Sequence, residues 1–222
     1  MAGRSYGQFC GLARSLDVVG DRWSLLIVRE VLIGPARFSE LRAGLPTIAT
    51  NLLSDRLKNL ENGGVIERRL AQDTNAILYA LTPWGKQLAE PISALIRWSA
   101  PLMTAGRLDD SFQPRWLVPA ISALLAGRQS DIPATLILIV ENTPIKITVA
   151  ADGPHVELLT EAPTESGPVL RTTAEVALAL AANVITADGA ITFDVDYTGG
   201  AEMLHTVLGG VRQTPGSQNN TN

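Results

Sequence analysis

The chain has 222 residues, of which 46% are hydrophobic, and a formal net charge of −4 at pH 7. This length is enough for two domains, each with a core of its own. The single cysteine, Cys10, excludes an internal disulfide bond, as is usual in a reducing compartment. The first eleven residues show no apolar signal segment, and the longest apolar run, residues 132–140, is too short to span a membrane. We therefore expect a cytoplasmic protein without a membrane partner.

The charge is divided unevenly along the chain. Residues 1–107 contain 13 Lys and Arg against 9 Asp and Glu, a net charge of +4, whereas residues 108–222 contain 5 against 13, a net charge of −8. A basic half followed by an acidic half is expected of a DNA-binding domain joined to a domain of another kind. Because +4 is modest, we expect non-specific DNA affinity to be moderate and sensitive to salt.

Residues 9–19 predict a first helix that ends at Gly20, and a second predicted helix stops at Gly34-Pro35. Between residues 37 and 69 the pattern is a short helix, a turn, a longer helix ended by Gly63-Gly64, and a strand. Residues 65–70 and 77–81 predict a two-stranded wing around the polar turn at 71–76. This order is typical of a winged helix-turn-helix DNA-binding domain, and the alternative is a helical hairpin in some other globular domain.

The longer helix of this unit carries the candidate DNA contacts. Its apolar residues Leu53, Leu57 and Leu60 recur on one face, so its polar residues are expected on the other. The short polar side chains near its start are our candidates for base contacts: Thr50, Asn51 and Ser54. The cations of this region are our candidates for phosphate contacts: Arg37, Arg42, Arg56, Lys58, Arg68 and Arg69. Asp55 either accepts from cytosine or pairs with Arg56 or Lys58.

Several stretches of the first hundred residues carry a family resemblance. They are Cys10, LARSLDVVGDRWSLLIVREVLIGPARFSEL, LPTIATNLLSDRLKNLENGGVIERR, YALTPWGKQL and Trp98. Together they resemble the HxlR family of bacterial winged helix-turn-helix regulators, which implies that the chain binds double-stranded DNA as a homodimer. In that family a cysteine at the place of Cys10 often senses oxidants or electrophiles, so Cys10 is a redox candidate; the alternative is a small buried side chain. Gly11 and Pro91 depart from the family pattern.

The last helix of the first domain opens at Thr82-Pro83 and is a candidate dimer seam. Its apolar residues recur at steps of three and four: Trp84, Leu88, Ile92, Leu95, Trp98 and Leu102. The alternative is that this stripe packs within its own chain. Pro91 should cost a hydrogen bond and kink the helix.

The second half predicts an α+β domain after a polar linker. We place the DNA-binding domain at residues 1–104, the linker at 105–115, the second domain at 116–211 and a disordered tail at 212–222. The expected elements are a helix at 116–126, strands at 135–140, 145–150 and 155–160, a helix at 174–184, a strand at 191–197 and a helix at 201–208. Thr172 and Glu175 have the spacing of a capping box for the second of these helices.

This order of elements, with the stretches TTAEVALAL, ADGAITFDVDY and GGAEMLHTVLGG, is similar to the sterol carrier protein domain (SCP2-like). The resemblance implies a pocket for a lipid or another hydrophobic small molecule. Five apolar residues are its candidate lining: Leu136, Leu138, Ile147, Leu178 and Phe193. The alternative is a closed apolar core that serves interaction or dimerisation.

The sequence contains no motif of an enzyme, a metal site or a cofactor site. Asp194 and Asp196 alternate along a predicted strand and are expected on a solvated sheet face. We therefore expect a transcriptional regulator, most simply a repressor, that binds a palindromic operator as a homodimer and responds to a hydrophobic effector. One alternative is a regulator without a ligand, and another is an apolar-ligand carrier or a protein-docking module without specific DNA binding.

Overall fold

The structure is a computed structural model that describes residues 5–72, 74–103, 106–162, 167–190 and 195–209. The chain divides into two compact units, Met1–Ala123 (unit 1) and Leu124–Asn222 (unit 2). This division lies C-terminal to the expected linker at residues 105–115, so the chain just after that segment is grouped with unit 1. The expected tail at 212–222 lies outside the described residues. None of the described helices is both long enough and apolar enough to cross a membrane.

Unit 1 has the expected order of a winged helix-turn-helix domain. Its helices are α1 (Gly11–Val19), α2 (Ser24–Ile33), α3 (Phe38–Gly44), α4 (Thr50–Asn62), α5 (Ala89–Ser99) and α6 (Leu117–Leu124), which ends at the boundary with unit 2. Its strands are β1 (Ile66–Leu70) and β2 (Ile77–Leu81). The two strands form an antiparallel hairpin in which Arg68 lies opposite Tyr79. The predicted winged fold of the N-terminal half is therefore confirmed.

The core of unit 1 holds α4 by its apolar face. Leu53, Leu57 and Leu60 are at most 1% exposed and belong to the same core cluster as Ile27 and Leu41. Their spacing of four and three residues places them on one side of the helix. The helix ends where Gly63 donates its backbone N–H to the carbonyl of Asn59, 2.8 Å away. The residue after it, Gly64, has a φ of 73°, a conformation that glycine adopts without steric cost.

Two helix starts differ from the prediction. The first helix begins at Gly11 rather than residue 9, and the Phe9 side chain is fully exposed. The helix expected to be kinked by Pro91 begins only at Ala89, after a short 3₁₀ turn at Gly85–Leu88. Pro91 therefore lies in the first turn of α5, where backbone N–H groups have no intrahelical partner and a proline breaks no hydrogen bond.

The segment that follows the winged domain is anchored on a buried carboxylate of α2. The Glu30 side chain is 0% exposed and accepts hydrogen bonds from Arg29 at 2.6 Å, from Trp116 Nε1 at 2.7 Å, and from Arg115. The Arg29 guanidinium lies 4.2 Å from the centroid of the Trp116 ring. A Cβ atom at Gly44 would clash with the buried Glu30 carboxylate, so this close approach requires glycine. We call Arg29, Glu30, Arg115 and Trp116 the Glu30 cluster.

A second contact fastens the same segment to the end of α3. Gln113 Nε2 donates to the carbonyl oxygen of Ala43 at 2.7 Å, and a 3₁₀ turn at Pro114–Trp116 leads into α6. The described part of the expected linker is thus attached to the helix-turn-helix. The polar composition of this segment had suggested a linker. The attachment could not be predicted from the sequence, because Glu30, which binds Arg115, lies 85 residues earlier in the chain.

Unit 2 is an α+β unit around a five-stranded sheet. Its strands are β3 (Ala134–Val140), β4 (Thr143–Ala150), β5 (Gly153–Leu158), β6 (Val169–Arg171) and β7 (Asp196–Thr198), in the sheet order β5-β4-β3-β6-β7. Its helices are α7 (Ala174–Ala181), α8 (Ala187–Ala190) and α9 (Ala201–Val207). The pair β3 and β6 is parallel, and the other pairs are antiparallel. The expected meander of three strands is present, whereas β6 was too short to be predicted.

The start of α7 also corrects the expected capping box. The N-cap is Thr173, whose Oγ1 accepts from the backbone N–H of Val176 at 3.3 Å. The Oγ1 atom of Thr172 is buried and has no hydrogen-bond partner among the described residues. Both threonines precede the helical pattern, but only the Thr173 hydroxyl accepts a hydrogen bond from a backbone N–H group of the first turn.

We predict that Glu30→Gln destabilises the protein by about 3–5 kcal/mol, because a neutral amide leaves two guanidiniums without their buried counter-charge. Urea unfolding followed by circular dichroism measures the change. The matched control is Glu90→Gln, since Glu90 is 78% exposed and lies 3.6 Å from Arg97; its loss should cost at most about 0.5 kcal/mol. Equal stability of Glu30→Gln and the control would show that the Glu30 cluster contributes nothing to the fold.

Candidate nucleic-acid interface

The outward face of α4 brings the three candidate base-contacting residues together. Thr50, Asn51 and Ser54 are exposed, as are Asp55 and Lys58. In a helix these positions lie on neighbouring turns of one side. The hydroxyl of Ser54 donates to the backbone carbonyl of Thr50 at 3.0 Å, which orients its oxygen lone pairs outward. This face offers amide, hydroxyl and amine groups within one helical stripe.

The start of α4 is also suited to a phosphate group. Its N-cap residue is Ala49, which provides no side-chain cap, and the first hydrogen bond within the helix runs from Leu53 N–H to Ala49 O at 2.9 Å. The N–H groups of the first turn therefore have no side-chain acceptor from the cap. Free N–H groups and the helix dipole together attract an anion.

Three of the candidate phosphate contacts are cations with no ion pair within the described part of the chain. They are Arg37 and Arg42, on or beside α3, and Lys58 on α4, all of them exposed. The Arg37 guanidinium lies 3.4 Å from Thr74 Oγ1 in the turn of the wing. This contact is long and exposed, so it leaves the charge available to a phosphate.

The other three candidate cations already have carboxylate partners. Arg56 pairs with Asp21 at 2.9 Å, and its side chain is only 21% exposed. Arg68 pairs with Glu61 at 2.7 Å, and this hydrogen-bonded carboxylate raises the pKa of Arg68 above its usual value. Arg69 pairs with Glu67. The suggested pair between Asp55 and Arg56 is not formed, because Arg56 binds Asp21 instead.

Only one of these pairs could have been found in the sequence. Glu67 lies two residues before Arg69 on the same strand, and alternate residues of a strand share a face. Asp21 lies 35 residues before Arg56 in the chain, and no local pattern joins them.

The candidate dimer residues divide into exposed and buried ones. Trp84, Leu95, Trp98 and Leu102 are 53%, 47%, 76% and 74% exposed. Ile92, by contrast, is 6% exposed and belongs to the core of unit 1, against which Leu88 also packs. This corrects the expectation for Ile92, whereas Leu88 is only partly buried and stays a candidate. One helical stripe of apolar residues is wide enough to pack against a core on one side and leave the other side open.

Apolar side chains near α1 form a second exposed set that the sequence did not single out. Tyr6, Phe9 and Leu12 are 59%, 103% and 69% exposed. Periodicity alone does not distinguish burial in a core from burial against another molecule.

Cys10 is the exposed N-cap residue of α1 rather than a buried side chain. Its thiol makes no capping hydrogen bond. The backbone N–H groups of Ala13 and then Leu12 nevertheless lower the pKa of the Cys10 thiol below its usual value. An accessible thiol with a lowered pKa is more nucleophilic near neutral pH.

The proposed lining of the apolar pocket falls mostly in the sheet core of unit 2. Leu136, Leu138 and Ile147 are 0% exposed, and Leu136 lies directly opposite Ile147. Leu178 is half-buried on α7, whereas Phe193 and Asp194 lie outside the described residues. Two surface clefts of about 290 and 430 Å³ are both lined by residues of unit 1 instead. The pocket in unit 2 therefore stays a prediction.

The described residues contain no group of three or more His, Cys, Asp or Glu side chains placed to hold a metal ion. His155 Nε2 lies 3.0 Å from Asp152 Oδ1 on the surface, which is a single exposed pair. Asp196 is exposed and lies 3.9 Å from Arg171. The Asp196 side chain is therefore solvated, as the alternation along the strand had suggested, whereas Asp194 lies outside the described residues.

Comparison with known proteins gives matches in the N-terminal part of the chain. A sequence model of the HxlR-like helix-turn-helix family matches residues 18–106. The chain is 38% identical to the uncharacterized HTH-type transcriptional regulator YvaP of Bacillus subtilis over 97 residues, which cover 43% of this chain and 90% of that protein. It is 31% identical to the HTH-type transcriptional regulator YodB of the same organism over 86 residues, which cover 38% and 77%.

Among solved structures, the crystal structure of quinone-bound YodB from B. subtilis superposes with a TM-score of 0.36 and 29% identity. The superposition covers 40% of this chain and 96% of that one.

We predict that the rate at which iodoacetamide alkylates Cys10 rises with pH to a midpoint below that of N-acetylcysteine, because backbone N–H groups lower the pKa of the Cys10 thiol. The sign follows from the lowered pKa, since the reactive thiolate is then present at lower pH. Mass spectrometry of the intact protein follows the reaction, and N-acetylcysteine is the control. A midpoint at or above that of the control would contradict the assigned environment of the thiol.

Proposed function

The chain belongs to the HxlR-like helix-turn-helix family, and from that premise we propose that it is a transcriptional regulator that binds a palindromic operator as a homodimer. Its relatives YvaP and YodB are both named as HTH-type transcriptional regulators. In this proposal the α4 helix of each protomer lies in the major groove, and the simplest outcome of binding is repression.

The observation that carries the proposal is the two-sidedness of α4. Its leucines are buried in the core, so Thr50, Asn51 and Ser54 are held outward on a fixed face. An asparagine amide can form two hydrogen bonds with adenine in the major groove. A serine or threonine hydroxyl can hydrogen-bond to the edge of either a purine or a pyrimidine. We therefore propose Asn51 as the main base contact, with Thr50 and Ser54 beside it.

Phosphate contacts surround this face on two elements. Lys58 lies further along α4, and Arg37 and Arg42 lie on or beside α3. With the free N–H groups at the start of α4, they offer positive charge on the helix-turn-helix itself. Arg56, Arg68 and Arg69 contribute less, because each must first leave or share its carboxylate partner.

Homodimer formation is supported by the exposed apolar residues of unit 1. Exposed tryptophans are unusual on a monomer surface and common at interfaces, and Trp84 and Trp98 are both more than half exposed. A two-fold dimer places two α4 helices on successive major-groove faces, about 34–36 Å apart. We propose Trp84, Leu95, Trp98 and Leu102 as the seam.

Modulation by a small molecule belongs to the same proposal. The element order of unit 2 is similar to that of the sterol carrier protein domain, and a hydrophobic effector there is one route to regulation. Cys10 is another, because its thiol is exposed and has a lowered pKa; a structure of the relative YodB is described as quinone-bound. In both cases an effector changes DNA affinity only if it favours one placement of the two α4 helices.

Two variants of α4 test the mode of DNA binding. Lys58→Ala should weaken binding to all duplexes and reduce the salt dependence, log Kobs against log [salt], by about 1 per protomer. Asn51→Ala should instead cost about 1–3 kcal/mol on the specific site alone. Fluorescence anisotropy on the region upstream of the gene and on a random duplex, at several salt concentrations, measures both.

The control is Lys146→Ala, which removes a lysine from the sheet of unit 2. If that variant lowered the salt dependence as much as Lys58→Ala, the contact would not be specific to α4. A protein that ignores both duplexes at low ionic strength would favour the rival function, an apolar-ligand carrier or protein-docking module.

Replacement of one exposed tryptophan tests the dimer. Trp98→Glu should convert the dimer into a monomer at micromolar concentration, because it places a charge in an apolar interface. Sedimentation velocity measures the mass. The matched control is Val184→Glu, since Val184 is 73% exposed in unit 2; a dimer that survives Trp98→Glu unchanged would exclude the proposed seam.

A further inference from the structure

A cleft of about 290 Å³ opens on unit 1 beside the Glu30 cluster. Three parts of the chain line it: α2 and the residue before it, the turn between α3 and α4, and the segment after the winged domain. The lining residues are Trp23, Leu26, Arg29, Gly44, Leu45, Pro46, Thr47, Asp110, Ser111 and Trp116.

Two indole rings line the cleft, and both are held in place: Trp23 packs against the core of unit 1, and Trp116 belongs to the Glu30 cluster. Trp23 has a φ of 85°, a left-handed conformation that costs free energy for a bulky residue and that clusters at functional sites. Trp116 is fixed by its hydrogen bond to Glu30 and by the Arg29 guanidinium at 4.2 Å from its ring centroid. Phe112 meets it edge-on, with ring centroids 6.4 Å apart. Rigid aromatic walls favour a planar ligand, because no side-chain freedom is lost on binding.

The Glu30 cluster places an excess of positive charge on one side of the cleft, and Asp110 places a carboxylate elsewhere in its lining. One carboxylate, Glu30, serves two guanidiniums, Arg29 and Arg115, so the cluster carries one surplus positive charge. Arg29 uses Nε and Nη2 to bind Glu30, whereas its Nη1 makes no hydrogen bond within the described ranges. Arg29 lines the cleft, and a carboxylate there would accept from Nη1.

One acidic residue also lines the cleft and limits the ligand. Asp110 is exposed, and its carboxylate would repel a second negative charge but would accept from a hydroxyl group. The lining thus combines two aromatic faces, one cation and one acceptor.

We propose that this cleft binds a small aromatic carboxylate with a ring hydroxyl, as an effector of the regulator. The ring lies against Trp23 and Trp116, the carboxylate accepts from Arg29, and the hydroxyl donates to Asp110. The effect on DNA binding rests on the proposed function above, whereas binding of the ligand does not.

The position of the cleft supplies the link to DNA. Leu45, Pro46 and Thr47 form the turn that leads into α4, which begins at Thr50. A ligand that touches this turn and the 110–116 segment together favours one placement of the turn. DNA affinity then changes by a factor equal to the ratio of the ligand's affinities for the DNA-bound and the free protein.

Isothermal titration of the full-length protein with 4-hydroxybenzoate tests the site, with 4-hydroxybenzamide as a neutral probe of the same shape. The carboxylate should bind saturably, and at least about tenfold more tightly than the amide, because the amide lacks the charge-assisted hydrogen bond to Arg29. Absence of saturable binding, or equal binding of the two probes, would overturn the proposal.

Two tryptophan substitutions locate the site. Ser111→Trp fills the cleft from an exposed position that makes no contact with Glu30, and it should weaken binding of 4-hydroxybenzoate about tenfold or more. Gln129→Trp adds the same side chain at an exposed position in unit 2 and should bind as the unaltered protein does. Binding that survives Ser111→Trp would place the ligand elsewhere and overturn the assignment.

DNA affinity, measured with and without saturating 4-hydroxybenzoate, separates the two proposals. A shift that is lost in Ser111→Trp supports the effector role, and an unchanged affinity for a bound duplex overturns it. A protein that binds the probe but no duplex leaves the aromatic-carboxylate site in place and removes the proposed regulator.

Discussion

Burial of one leucine stripe determines what α4 can present to other molecules. Leu53, Leu57 and Leu60 lie in the core of unit 1 with at most 1% of each exposed, and each contributes about 1.5–3 kcal/mol by leaving water. Because successive residues of a helix are about 100° apart, fixing these three side chains also fixes the direction of Asn51 and Lys58. The core of the domain, rather than any surface contact, therefore sets the geometry of the candidate DNA interface.

The Glu30 cluster extends this core to the segment that follows the winged domain. A buried carboxylate is costly unless its partners satisfy it, and here two guanidiniums and an indole N–H do so. Breaking this arrangement would leave an uncompensated charge, so the 113–116 segment has one strongly preferred position on α2 and α3. Arg29 and Trp116 of this cluster also line the cleft beside the turn that leads into α4, which joins the proposed ligand site to the proposed DNA interface.

The elements that could be predicted from the sequence are those with a regular spacing of apolar residues. The leucine spacing of α4, the two runs of the wing and the meander of unit 2 each follow a period of 3.6 or 2, and all three appear in the structure. Periodicity could not separate Ile92, which is buried, from Trp98, which is exposed on the same helix. It also missed β6, which has three residues, and placed Cys10 in a helix that begins one residue later.

Charges were harder to predict than elements. Six cations looked equivalent as phosphate contacts, yet the structure pairs Arg56 with Asp21 and Arg68 with Glu61, across distances in sequence that no motif spans. Polarity suggested a free linker where Arg115 in fact reaches Glu30. Such long-range pairs depend on the tertiary fold, and they determine which side chains remain available for DNA.

The central claim is that the outward face of α4 enters the major groove in each half of a dimer. An iron chelate tethered to a cysteine that replaces Lys58, in a Cys10→Ser background, cleaves only the DNA that lies beside that residue. We expect two clusters of cleavage whose centres are separated by about one helical turn, 34–36 Å along the duplex. Uniform cleavage, no cleavage, or the same pattern from a chelate at Lys146 in unit 2 would contradict the account.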